Sequence, residues 1–158
     1  MLPEIIPNWH PIFIHFTIAL FSVATVLIMS SLFIKNEVGE KILNCGYFNL
    51  WLGCLFTIIA VAAGFHAFYT VLHDEPAHMA MVTHRNWALI TAFSFLILTL
   101  WSIKLYRDHK KQNLVFIGCL LMATLLLAVT AWKGAEVVYR HGVGVMSLPN
   151  PDVHQHER

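Results

Sequence analysis

The chain has 158 residues, of which 58% are apolar and only 12% charged, and its formal net charge is +1 with its ten histidines neutral. Soluble domains carry roughly 25% charged residues, and a mean hydropathy of +0.65 excludes an ordinary soluble fold and points to one integral membrane domain. No basic block is present to meet nucleic acid, which excludes that class of partner.

About 20 apolar helical residues cross the roughly 30 Å hydrocarbon core of a bilayer, and the sequence predicts four such spans. The first covers residues 11–34, opened by Asn8-Trp9-His10-Pro11, with a belt tryptophan and a proline where a helix tolerates one. It lacks the basic n-region and small-residue cleavage site of a signal peptide, so it is expected to stay in the mature protein. The polar stretch "IKNEVGEKILNCG" leads to a second span over 47–71, marked by a stripe of Gly53, Ala60, Gly64 and Ala67 that reads as helix packing and, after that, as clearance for a cofactor. "VLHDEPAHMAMVTHRN" leads to a third span over 86–106, and "KLYRDHKKQN" to a fourth over 113–138. Residues 147–158 read as a flexible C-terminal tail. Short polar connections join antiparallel neighbours, so the expected fold is all-α, an integral membrane up-down-up-down four-helix bundle in a lipid bilayer.

Lys35 and Lys41 follow the first span and Lys104, Arg107, Lys110 and Lys111 the third, against Arg85, Arg140 and Arg158 on the opposite side. The positive-inside rule makes the lysine-rich loops cytoplasmic and places both termini outside.

Cys45, Cys54 and Cys119 form no CxxC or CxxCH, so a disulfide framework, an iron–sulfur cluster and covalent c-type haem lack support. The histidines are more informative. His10, His15, His66, His73, His78, His84 and His141, with His154 and His156 in the tail, all fall at the outer end, and only His109 at the cytoplasmic end. In polar segments His73, His78, His154 and His156 read as solvated side chains. His15, His66 and His84 lie close to the membrane boundary on helices, where ionisable residues usually face the interior and mark function.

The spacing His15-x3-Ala19-x2-Ser22 recurs as His84-x3-Ala88-x2-Thr91, and positions i, i+4 and i+7 share one helical face. The first and third helices of such a bundle stand on a diagonal, so His15 and His84 are expected to face each other as axial ligands of one b-type haem. His10 reads first as an interfacial side chain beside Trp9; after that, His10, His66 and His141 are alternative ligands or hydrogen-bond partners, and His66 has no counterpart on the fourth span, which argues for one haem. In "AWKGAEVVYRHGVGV", Glu136 and Arg140 are spaced to pair, while Arg85 and Arg140 are candidate partners for haem propionates.

"HPIFIHFTIAL" resembles the HPxxVHFPIAL start, and "VVYRHGVGV" the LVYxHGVGV end, of a bacterial predicted membrane protein family of unknown function with four transmembrane helices. His10, His15, Tyr139, His141 and Gly142 occupy motif positions, and Thr17 stands where that family usually has proline. The resemblance implies a bacterial membrane protein with a redox role, because such proteins are often fused to or encoded beside Rieske domains and cytochromes. It supplies no ligand assignments.

The expected function is a membrane-bound b-type cytochrome passing electrons at the periplasmic side of a bacterial inner membrane, between quinone and a periplasmic cytochrome or Rieske-type protein. It fits an electron-transfer subunit better than a stand-alone enzyme, and neither GxSxG nor HExxH is present to support hydrolysis. Two alternatives use the same residues. One is a copper, zinc or iron site made by His10, His15, His66 and His84 without haem. The other is a structural or assembly subunit, as a homo-oligomer or within a respiratory complex.

Overall fold

The computed structural model describes residues 8–145. Four helices make up the bundle: α1 His10–Ser30, α2 Glu37–Thr70, α3 Glu75–Arg107 and α4 Leu114–Tyr139, each long and apolar enough to cross a membrane. The tail at 147–158, with His154, His156 and Arg158, lies outside the described residues.

Two helices begin well before their predicted spans, and capping explains both. Asn36 accepts from the backbone N–H groups of Val38 and Gly39 at 3.1 and 3.3 Å, starting α2 ten residues ahead of the apolar run. Asp74 accepts from Ala77 N–H at 2.9 Å with Pro76 in the first turn, so most of the stretch expected to link spans two and three is helix. These are the residues that satisfy the orphan donors of a helix N-terminus. The 33 residues of α3 measure about 50 Å at 1.5 Å per residue, longer than the hydrocarbon is thick. At the other end of the bundle Asn113 caps α4 by accepting from Phe116 N–H at 2.9 Å. After α4, Gly142 adopts a left-handed φ of 63° and returns its N–H to Val138 O at 2.9 Å, the C-terminal stop for which glycine is suited.

Neighbours in sequence are neighbours in space, and α1 and α3 stand diagonally. The α1–α2 pair is the tightest because α2 presents glycines: a Cβ at Gly46 would lie 2.7 Å from Ile28 Cγ1, and one at Gly53 would lie 2.7 Å from Phe21 Cδ1. α1 and α4 touch least. Across the diagonal Phe21 and Phe95 stack with centroids 3.7 Å apart and planes at 6°, both buried. Large apolar side chains elsewhere face outward along all four helices, as a bilayer requires.

Candidate functional site

At the end of the bundle that holds the start of α1, two histidines turn inward. His10 lies against α2, with its Nδ1 2.9 Å from Ala60 O. His84 lies against α4, with its Nδ1 3.2 Å from Thr130 O. A carbonyl can only accept, so in both rings Nδ1 carries the proton and donates, and in the neutral imidazole Nε2 keeps its lone pair. The two rings face each other across the diagonal, with centroids 6.2 Å apart and planes at 73°.

Each ring fits because a glycine sits four residues beyond the accepting carbonyl. A Cβ at Gly64 would approach both Cε1 and Nδ1 of His10 to 3.0 Å. One at Gly134 would come within 3.0 Å of Cε1 of His84. The glycine stripe of α2 therefore serves close packing at Gly53 and accommodates an imidazole at Gly64. Beneath His84 the buried hydroxyls of Thr91 and Thr130 bond to each other at 2.8 Å.

The same arrangement occurs twice in the chain. α1 reads His10-x6-Thr17-x3-Phe21-x3-Thr25 and α3 reads His84-x6-Thr91-x3-Phe95-x3-Thr99; the threonines and phenylalanines of both are buried. In the partner helices Ala60 and Gly64 of α2 correspond to Thr130 and Gly134 of α4. The chain is thus two helical hairpins with matching inner faces, and the histidine pair lies where they meet.

This corrects the pairing expected from spacing. His15 is exposed, and its Nδ1 bonds Pro11 O of its own helix. Ala19 and Ser22 are exposed with it. Five residues along a 3.6-residue turn rotate a side chain roughly 140°, so His10 and His15 cannot share a face. His84 therefore meets His10, and the His15-Ala19-Ser22 match is a coincidence of an outward stripe. The signal that finds the true register was present in the sequence, in the four-residue pattern of His, Thr, Phe and Thr.

The other candidates are dispersed. His66 is exposed and His141 half-buried beyond α4. His10, His15, His66 and His84 do not converge, and among the described residues no group of three or more His, Cys, Asp or Glu is close enough to hold a metal ion. Arg85 lies over the Phe68 ring at 4.8 Å. Arg140 donates to Glu136 at 2.6 Å, and Glu136 also accepts from Lys133 at 2.9 Å. His73, read as solvated, instead pairs with His78 through Nε2 and Nδ1 at 3.0 Å. Cys54 is buried, whereas Cys45 and Cys119 are exposed.

The profile of a family described as "Predicted membrane protein (DUF2231)" matches residues 7–147. No curated protein and no solved structure matches the chain.

Proposed function

The chain belongs to this DUF2231 family of multi-pass membrane proteins, and from that premise we propose that it is a b-type cytochrome whose haem iron is ligated by His10 and His84. The observation that carries the reading is the pair itself, two half-buried imidazoles fixed by Nδ1 to backbone carbonyls and 6.2 Å apart between centroids. Imidazole nitrogens bind first-row metals at about 2 Å, which puts two rings on opposite sides of one ion roughly 6 Å apart, centroid to centroid. Metal-ligating histidines characteristically donate their other ring N–H to a carbonyl, which sets the tautomer and the ring orientation.

Ligand number favours haem among the metals considered. A porphyrin brings four nitrogens and asks the protein for axial ligands only, while zinc takes four ligands in its structural sites, more than this pair offers. A two-coordinate cuprous ion is the second reading, favoured by the same ligand count.

Bound haem supplies a one-electron ferric/ferrous couple. The chain contributes two ligands oriented by their Nδ1 bonds to Ala60 O and Thr130 O. The lysine-rich loops on the far side support a position for this centre at the periplasmic face of a bacterial inner membrane. There it passes electrons between quinone and a periplasmic cytochrome or Rieske-type acceptor. Arg85, freed from Phe68, is the better propionate partner, because Arg140 is already paired with Glu136.

The test is a visible spectrum with a pyridine haemochrome and elemental analysis on protein expressed with haem supplied. The expected result is one haem b per chain and a low-spin α band lost in His10→Ala and in His84→Ala but kept in His15→Ala. Protein free of haem, or a band lost with His15 and kept without His10, overturns the proposal. Stoichiometric copper without haem selects the second reading.

A further inference from the structure

The two halves of the site hold their imidazoles by the same device, and the device constrains more than position. A histidine side chain still turns about its Cβ–Cγ bond when its Cα is fixed. Here two features narrow that freedom in each half: the Nδ1 bond to Ala60 O or Thr130 O, and the space left by the missing side chain of Gly64 or Gly134, in which the Cε1 edge of the ring is seated. We infer that Gly64 and Gly134, each with the carbonyl one turn before it, are positioning residues that hold the planes of His10 and His84 close to a right angle. The observed angle is 73°. The inference rests on the reading that these imidazoles ligate one haem iron, and it adds what the clamp does to that iron.

Axial imidazoles donate π density along their own ring normals. Parallel rings split the two iron orbitals that accept it and give a rhombic low-spin ferric signal. Rings near a right angle split them little and give a strongly anisotropic signal with one large g value. The clamps therefore set an electronic property that neither ligand identity nor the iron–nitrogen distance determines.

The two glycines are not interchangeable. A methyl at Gly64 meets Nδ1 and Cε1 of His10 equally, at 3.0 Å, on the edge that makes the anchoring bond. A methyl at Gly134 meets Cε1 of His84 at 3.0 Å, with Nδ1 at 3.4 Å and Nε2 at 3.6 Å, so the crowding falls on Cε1 alone and both nitrogens stay in ordinary contact. Ordinary contact begins at 3.4 Å, and each ring must turn or retreat by several tenths of an ångström.

The experiment is low-temperature electron paramagnetic resonance of the oxidised, haem-loaded protein, with haem content measured on the same sample. Wild type is expected to give the strongly anisotropic signal, and Gly64→Ala and Gly134→Ala to lower its largest g value toward a rhombic spectrum at unchanged haem content. Gly118→Ala, where a Cβ meets nothing within 4 Å, leaves the signal as it was. A second arm covers variants that shed haem: in His84→Gly, added imidazole restores the anisotropic signal, and in His84→Gly/Gly134→Ala it restores a rhombic one. A haem-loaded wild type with a rhombic signal overturns the inference while leaving the haem reading intact. Identical spectra with and without the alanine at Gly134 in the imidazole-rescued protein overturn it too. A wild type without haem overturns both.

Discussion

Gly53→Ala and Gly118→Ala make the same chemical change in two helix interiors and are expected to move stability in opposite directions. At Gly118 the added methyl meets nothing within 4 Å and faces outward. The backbone preference of alanine over glycine then acts alone and stabilises by up to about 1 kcal/mol. At Gly53 the methyl would lie 2.7 and 2.8 Å from Cδ1 and Cε1 of Phe21, so the ring must shift by more than half an ångström to reach ordinary contact. Its room to move is small, because Phe95 stacks flat on it with centroids 3.7 Å apart and both rings are buried. Overpacking of this kind costs about 1–3 kcal/mol, and disturbing the aromatic pair removes roughly 0.5–1.5 kcal/mol more. Set against the propensity gain, Gly53→Ala is expected to destabilise by about 1–3 kcal/mol. Reversible unfolding in mixed micelles, followed by circular dichroism, reads both variants. If Gly53→Ala proves as stable as Gly118→Ala, the Phe21–Phe95 stack is not the rigid layer described here.

The hydroxyl pair beneath His84 makes a cycle. Thr91→Val or Thr130→Val alone leaves a buried hydroxyl unpartnered and is expected to cost about 1–3 kcal/mol, while the double substitution costs less than the sum of the two; additive singles would show that the 2.8 Å bond contributes nothing. Asn113→Ala removes the side chain that accepts from Phe116 N–H and should lower stability by about 1 kcal/mol, with Asn113→Asp restoring most of it. Ser102→Ala deprives the half-buried Trp51 indole of its 2.8 Å acceptor, and the expected loss of about 1 kcal/mol should come with a change in near-ultraviolet circular dichroism that Ser94→Ala, on an outward face, does not produce.

Much of the architecture was legible residue by residue. Four apolar runs separated by polar ones leave no other economical way to satisfy the backbone in lipid, and the short connections make an up-and-down bundle. The ends of α2 and α3 were harder to place, because Asn36 and Asp74 start helices in polar sequence that a hydropathy reading assigns to loops. His84 was recognisable as an inward histidine, but its partner was not. In a soluble helix the polar face separates outside from inside. In a membrane the lipid-facing side is as apolar as the core, so the stripe through His15, Ala19 and Ser22 looked as inward as the true one through His10, Thr17, Phe21 and Thr25.

By itself, then, the sequence determined the class, the number of spans, the loops that carry positive charge and the end of the bundle that gathers histidine, because each follows from composition summed along the chain. Only the tertiary structure decided which histidines meet, since that depends on the rotation of α1 and α3 about their own axes. That rotation is set by contacts distant in sequence: Gly46 and Gly53 letting α2 close on α1, Phe21 stacking on Phe95, and Gly64 and Gly134 making room for one imidazole each. Five residues of register separate His10 from His15, and the packing of the other three helices selects His10.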